Sequence, residues 1–81
     1  MLKKPLPRIE DRLVRETFGR NFREARMGRS HSQRHTQRLT GVTQSQISGI
    51  EAGDRNIGID TMVKLAAVVN MPLWRLLKPK G

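Results

Sequence analysis

The 81-residue sequence has no cysteine and no tyrosine, and it has only one tryptophan and two phenylalanines. Without cysteine the chain can form neither disulfides nor thiolate metal sites. No apolar run approaches the roughly 18 residues that a membrane span needs. The first residues also lack the apolar core of a secretory signal. We therefore expect one small cytoplasmic domain that does not associate with membranes.

Groups for catalysis and metal binding are also scarce. The two histidines, His31 and His35, have the i, i+4 spacing that can clamp a metal ion, but the sequence offers no obvious third ligand. The seven acidic residues are scattered. The chain has no Ser-His-Asp pattern and no phosphate-binding glycine loop. The sequence therefore predicts a protein that is not an enzyme and that has no metal or cofactor.

Positive charge is abundant and unevenly distributed. The chain carries a formal net charge of +9 and has a pI of about 11.6. Residues 1–38 hold 11 Lys or Arg against 4 Asp or Glu, whereas residues 39–81 hold 5 against 3. Such a concentration of positive charge is typical of proteins that bind a polyanion.

The hydrophobic pattern predicts helices and no strand, and hence an all-α fold. Two prolines disfavour helix near the start, so residues 1–8 are predicted to form a flexible basic arm. Residues 9–77 are predicted to form the folded domain, and residues 78–81 a basic tail. The predicted helices span 9–27 (with a break allowed near Thr17), 33–40, 44 to about 52, 59–69 and 72–77. The apolar positions expected to face the core in the first and fourth of these helices are Ile9, Leu13, Phe18, Phe22, Ala25, Ile59, Met62, Leu65, Ala66 and Val69.

Residues 40–51 carry the clearest functional signal. They read as the end of one helix, a tight turn at Gly41 and a second helix capped by Thr43. The first turn of that second helix holds Gln44 and Ser45, whose side chains can form hydrogen bonds with base edges. Apolar residues at positions 47 and 50 lie three apart on the opposite, inward face. In so basic a chain, the most plausible partner for the polar face is double-stranded DNA.

The spacing of several motifs resembles that of the Cro/C1 (XRE-type) helix-turn-helix regulators, a five-helix family. Phe18–Arg26 looks like the first-helix motif, and Gly41–Gly53 matches the recognition segment without a gap. The remaining matching positions are Ser32-Gln33, Leu65-Ala66 and Leu76-Leu77. Ile47–Glu51, with Arg55-Asn56 and Ile59-Asp60 beyond it, is also similar to restriction–modification controller proteins, a subgroup of the family.

The resemblance and the residue types together predict the interface. Gln44 and Ser45, with Ser48 one turn later, are the candidates for base contact, because the N-terminal residues of a recognition helix read the major groove. An ordinary polar helix start is the alternative. The candidates for phosphate contact are Gln33, Arg34, Arg38, Thr43, Gln46, Arg55 and Asn56. For Arg34 and Arg38, a solvated helix face remains the alternative.

Two further roles follow from the resemblance. Arg26 and Glu51 occupy the positions of an internal ion pair that joins the first helix to the third. Trp74, together with Met71 and Leu73, is predicted to form a homodimer interface, because aromatic residues are enriched at interfaces. The alternative for Trp74 is a core residue that fills a gap.

The chain departs from the family pattern around the second helix. Thr36 and Gln37 stand where Leu and Ala are usual, and His31 stands where an apolar residue is usual. These changes remove apolar contacts between the second and third helices. We expect either a poorly packed second helix or buried partners for Gln37 and His31.

The sequence thus predicts a sequence-specific DNA-binding transcriptional regulator, and we expect a repressor that acts as a homodimer on a palindromic operator. The alternatives are an antitoxin, which would also bind a protein partner, and a restriction–modification controller that both activates and represses. A basic protein that coats nucleic acid without sequence preference is a further rival, although the uncharged recognition face argues against it.

Overall fold

The computed structural model describes the backbone of residues 8–80 and the side chains of residues 11–80. Within this range the chain forms five helices and no strand, so the all-α prediction is confirmed. The helices are α1 Arg8–Gly28, α2 Gln33–Thr40, α3 Gln44–Glu51, α4 Ile59–Val68 and α5 Leu73–Leu76. The predicted N-terminal arm lies outside the described residues except for Arg8, which begins α1. Gly81 of the predicted tail lies outside them too. None of the described helices is long and apolar enough to cross a bilayer.

The first helix is continuous, so the break allowed near Thr17 is wrong. Gly19, which weakens a helix in isolation, lies where the backbones of α1 and α3 meet. A Cβ atom at Gly19 would overlap the carbonyl oxygen of Ile50 and lie 3.1 Å from that of Glu51. The glycine therefore permits the close contact that holds α3 against α1.

The core lies between α1 and the three helices α3, α4 and α5. Phe18 and Phe22 are fully buried, and their rings are nearly parallel with centroids 6.2 Å apart. The other buried apolar residues are Val42, Ile47, Ile50, Leu65, Ala66, Val69 and Leu76. Burial of each large side chain contributes on the order of 1.5–3 kcal/mol. This core fixes the orientation of α3, whose two isoleucines both point into it.

Two of the predicted core positions are wrong, and the side chain of a third, Ile9, lies outside the described residues. Leu13 is 55% exposed and Ile59 is 66% exposed. Leu13 precedes Phe18, the first described α1 residue that reaches the core, and Ile59 is the first residue of α4. At these helix ends no described part of the chain covers the side chain, although the helical spacing continues into them.

Polar contacts tie the C-terminal part of the fold to α1. The Nδ2 atom of Asn21 donates hydrogen bonds to the carbonyl oxygens of Leu76 and Lys78, each 2.9 Å away. Lys80 forms an ion pair with Glu24. Asn70, with φ 56°, is left-handed in the turn that follows α4. The C-terminal helix is thus held in place by side-chain contacts as well as by its buried leucine.

Helix α2 packs with polar groups where apolar ones are usual. Thr36 is fully buried, and its hydroxyl donates to the carbonyl oxygen of Ser32 at 3.1 Å. His31 is half-buried and meets the ring of His35 edge-on, with centroids 4.7 Å apart. Gln37 is exposed, so the expectation of a buried partner for it is wrong. Thr36 is the only buried residue of α2, and the buried Nδ1 atom of His31 has no hydrogen-bond partner among the described residues, so the expected partner for His31 is absent there too.

Candidate nucleic-acid interface

The turn between α2 and α3 is fixed by its own hydrogen bonds. Gly41 is left-handed, with φ 79°, and its N–H donates to the carbonyl oxygen of Gln37 at 2.8 Å. The Thr40 hydroxyl donates to the Thr36 carbonyl at 2.7 Å and accepts from the Val42 N–H at 3.1 Å. Val42 is buried beneath the turn. The two helices therefore meet at an angle that the turn itself determines.

A capping box begins α3. The Gln46 N–H donates to the Thr43 hydroxyl at 3.1 Å, and the Thr43 N–H donates to Oε1 of Gln46 at 3.0 Å. The Gln44 N–H donates to Oε1 of Gln37 at 2.5 Å, so a side chain of α2 caps α3 as well. These bonds satisfy backbone donors that a helix start leaves free. Of the predicted phosphate contacts, Thr43 and Gln46 thus have roles in the cap, and the side-chain nitrogen Nε2 of Gln46 has no protein partner among the described residues.

The outer face of α3 is polar, uncharged and exposed. Gln44, Ser45 and Ser48 all lie on it, and none of their side chains makes a hydrogen bond within the described part of the chain. The opposite face holds Ile47 and Ile50, which are 0% and 2% exposed. The three predicted base-contact residues therefore share one surface, with donors and acceptors available for a partner.

The start of α2 lies beside α3. The Ser32 hydroxyl caps α2 by accepting from the His35 N–H at 2.9 Å. Gln33 turns its amide toward α3, where Nε2 donates to Oε1 of Glu51 at 3.1 Å. Arg34 and Arg38 are exposed, and Nη2 of Arg38 lies 3.3 Å from Nδ1 of His35. Arg34 and Arg38 are thus two exposed positive charges on α2. Gln33 has an internal hydrogen-bond partner that the sequence did not indicate.

An ion pair joins α1 to α3. Arg26 donates from Nε to Oε2 of Glu51 at 2.6 Å and from Nη2 to Oε1 at 2.9 Å. Its remaining nitrogen, Nη1, donates to the carbonyl oxygen of His31 at 2.6 Å. The side chains of Arg26 and Glu51 are only 10% and 4% exposed. Bidentate geometry and burial make this contact a structural one that fixes α3 and the segment before α2 relative to α1.

The sequence interpretation missed two side chains of this region. Arg23 lies 3.9 Å from the Glu51 carboxylate and is 61% exposed, at a shallow depression lined also by Gln33, Ser48 and Ala52. Its position three residues before Arg26, on the same helix face, was a usable signal. The other is Gln37, which caps α3; no sequence pattern indicated this, because the contact depends on the geometry of the turn.

The loop after α3 folds back over the last turn of that helix. The Gly53 N–H donates to the Ile50 carbonyl at 3.0 Å, and the Asp54 N–H donates to the Gly49 carbonyl at 2.9 Å. Arg55 and Asn56 follow and are exposed. The two predicted phosphate-contact residues of this loop are therefore held close to α3 by backbone hydrogen bonds.

The predicted dimer residues lie at the start of α5 and just before it. Trp74 is 64% exposed, so the alternative of a core residue is wrong. Met71 and Leu73 are half-buried and pack against the core. Trp74 is therefore a large exposed apolar side chain, and its neighbours Met71 and Leu73 are held in place by the core.

Comparisons with known proteins agree with this architecture. A helix-turn-helix family model (HTH_3) matches residues 22–73. The crystal structure of the restriction-modification controller protein C.AhdI from Aeromonas hydrophila is similar, with 33% sequence identity, a TM-score of 0.71 and coverage of 79% of this chain and 94% of that one. The crystal structure of the hypothetical transcription factor NHTF from Neisseria is 28% identical, with a TM-score of 0.78 and coverage of 98% and 88%. A search of curated proteins found no match. The family resemblance read from the sequence is confirmed.

Proposed function

The chain belongs to the helix-turn-helix family of DNA-binding transcriptional regulators, of the Cro/C1 type, and from that premise we propose that it is a repressor that binds a palindromic operator as a homodimer. The observation that carries the proposal is the outer face of α3. Its polar side chains are exposed and unpaired within residues 11–80, whereas the helix beneath them is fixed by caps and by the core. A rigid helix that presents free hydrogen-bonding groups suits the reading of base edges in the major groove.

Gln44 is the leading candidate for base contact. It is the first residue of α3, and its amide can form a paired hydrogen bond with N6 and N7 of adenine. Ser45 and Ser48 are shorter and would contact bases beside it. Because Ile47 faces the core, rotation of α3 to present a different face would expose a buried side chain.

Phosphate contacts would surround this face. Arg34 and Arg38 on α2 and Arg55 and Asn56 after α3 are exposed on either side of the recognition helix in the chain. Thr43, Gln46 and Gln33 would contribute in addition to their internal hydrogen bonds. To these we add Arg23, whose exposed guanidinium lies near Ser48. Contacts of this kind fix the register of the protein on DNA without reading sequence.

Binding to duplex DNA is expected to weaken steeply with salt. Each neutralised phosphate releases counterions and contributes about −0.9 to the slope of log K against log salt, so each contact costs roughly a factor of two per doubling of salt. The motivation is the net charge of +9 and the exposed arginines around α3. Titrations of a labelled duplex at several salt concentrations would give the slope. A slope near zero would contradict the proposed binding mode.

Trp74→Ala is expected to weaken the homodimer about tenfold, which corresponds to ~1.4 kcal/mol, and to weaken operator binding with it. The reason is the exposed indole of Trp74 beside the anchored Leu73. Sedimentation at several concentrations would measure dimerisation. Met27→Ala is the matched control, because Met27 is also a large exposed apolar residue and lies outside the proposed interface. A folded Trp74→Ala variant that dimerises as well as the wild type would refute this role.

The operator itself can be sought in the DNA upstream of the chain's own gene. A footprint there, together with a reporter assay, tests the proposed repression directly. Protection of a symmetric site with reduced transcription would support the proposal. Binding without sequence preference would favour the rival of a protein that coats nucleic acid, and increased transcription would refute the repressor role.

A second candidate function is control of a restriction–modification system. The favouring observation is the similarity to C.AhdI, which extends over 94% of that controller protein. Such a role would use the same α3 surface. The discriminating observation is the gene neighbourhood: adjacent endonuclease and methyltransferase genes, with binding upstream of them, would favour the controller function.

A further inference from the structure

Gly49, in the middle of α3, lies beneath the side chain of Arg55. A Cβ atom built on Gly49 would lie 2.6 Å from Cγ, 2.8 Å from Nε and 3.2 Å from Cδ of Arg55. Two non-bonded carbons do not approach to 2.6 Å, because the attractive optimum is roughly 3.5–4.0 Å. The Arg55 side chain therefore occupies the space that any larger residue at position 49 would take.

The backbone at Gly49 gives no other reason for a glycine. Its conformation is that of an ordinary α-helix residue, unlike the left-handed Gly41 and Gly53. Glycine is also the poorest helix former apart from proline. The three heavy atoms that would lie nearest to a Cβ at this position all belong to the Arg55 side chain.

We propose that Gly49 is a positioning residue for DNA binding, because its missing side chain seats Arg55 against the recognition helix. This inference rests on the proposed function. The Asp54 N–H bond to the Gly49 carbonyl brings the loop back over α3. The contact between Gly49 and the Arg55 side chain, which we call the seat, then fixes the direction of the guanidinium beside the base-reading face. An arginine held in this way loses less conformational freedom when it contacts a phosphate.

The seat predicts a specific effect of Gly49→Ala. Arg55 is exposed, so it can swing away from the added methyl group and the variant should fold normally. The displaced guanidinium should reduce operator affinity severalfold and flatten the salt slope by about one unit, as loss of a phosphate contact does. In an Arg55→Ala background, Gly49→Ala should have no further effect, because residues that share one interaction are not additive.

Gly28→Ala is the matched control. It is the same chemical change in another helix, at a site where a Cβ would meet nothing within 4 Å. It should leave affinity and salt slope unchanged. Thermal melts of every variant would show that each is folded, and Gly49→Ser would repeat the test with a slightly larger group.

The experiment combines duplex titrations at two salt concentrations with a nuclear Overhauser measurement on free protein between the Gly49 Hα and Arg55 side-chain protons. We expect a contact between Gly49 and the Arg55 side chain in the free wild type, and losses of affinity and salt slope in Gly49→Ala and Arg55→Ala that are not additive. Three results would each refute the positioning role of Gly49. The first is wild-type affinity and salt slope in Gly49→Ala. The second is an equal loss of affinity when Gly49→Ala is added to Arg55→Ala, and the third is no Gly49–Arg55 contact in the free protein. A wild type that binds no duplex would instead defeat the proposed function, and the inference with it.

Discussion

Arg26→Ala is expected to lower the free energy of unfolding by about 3–5 kcal/mol, the usual cost of removing one partner from a buried ion pair. The Glu51 side chain is 4% exposed and would be left with only Gln33 and the more distant Arg23 nearby. The carbonyl oxygen of His31 would also lose its donor. Because small domains are stable by only about 5–15 kcal/mol, urea unfolding should show this change clearly.

Glu51→Ala should also destabilise the fold, since it leaves the guanidinium of Arg26 buried without a carboxylate. The double variant should lose less than the sum of the two single losses, because the residues share one interaction. Glu24→Ala is the matched control: its ion pair with Lys80 is half-exposed and should contribute less than about 1 kcal/mol. Strictly additive losses for Arg26 and Glu51 would show that their contact contributes nothing to stability.

The helix ends could be predicted from the sequence because their signals are local. Ser32 and Thr43 are the N-caps of α2 and α3, and Gly41 is the C-cap of α2, as their chemistry predicts. The structure shifts the other predicted ends by only a residue or so, as with Val69 and Pro72, which cap their helices from outside. Local sequence patterns were therefore sufficient to predict the order and extent of the helices.

Features that depend on contacts between helices could not be predicted in this way. Gly19 lowers the helix propensity of α1, and the reason for a glycine at this position becomes visible only where α3 crosses α1. Leu13 continues the apolar spacing of α1 but has no described neighbour to cover it. The cap that Gln37 provides for Gln44 joins side chain and backbone across a turn, for which no periodicity gives a signal.

The proposed base-reading surface was predictable to the extent that a single helix contains it. Gln44, Ser45 and Ser48 share a face because Ser48 lies one helical turn beyond the other two, and the inward isoleucines determine which face is exposed. Gln33 shows the limit of such reasoning. Its place at the start of α2 predicts a phosphate contact, and no sequence pattern indicated that the fold also brings its side-chain amide to Glu51.

Gln44→Ala and Arg55→Ala are expected to fail in different ways. Gln44 begins the exposed face of α3, so its loss should cost roughly 1–3 kcal/mol on the operator and little on random DNA. Arg55 lies beyond the Gly53 turn and is assigned to a phosphate. Its loss should weaken binding to both kinds of DNA and flatten the salt slope by about one unit.

The measurement is a pair of titrations for each variant, with the operator and a scrambled duplex, at two salt concentrations. Lys64→Ala is the control for loss of one positive charge, because Lys64 is exposed on α4 and outside the proposed interface. It should change the slope less than Arg55→Ala does, since a charge without a phosphate contact releases no counterion directly. An equal loss on both duplexes for Gln44→Ala would mean that α3 does not read bases in the major groove. A change of sequence preference in Arg55→Ala would mean that the guanidinium, held beside α3, reaches a base edge instead of the backbone.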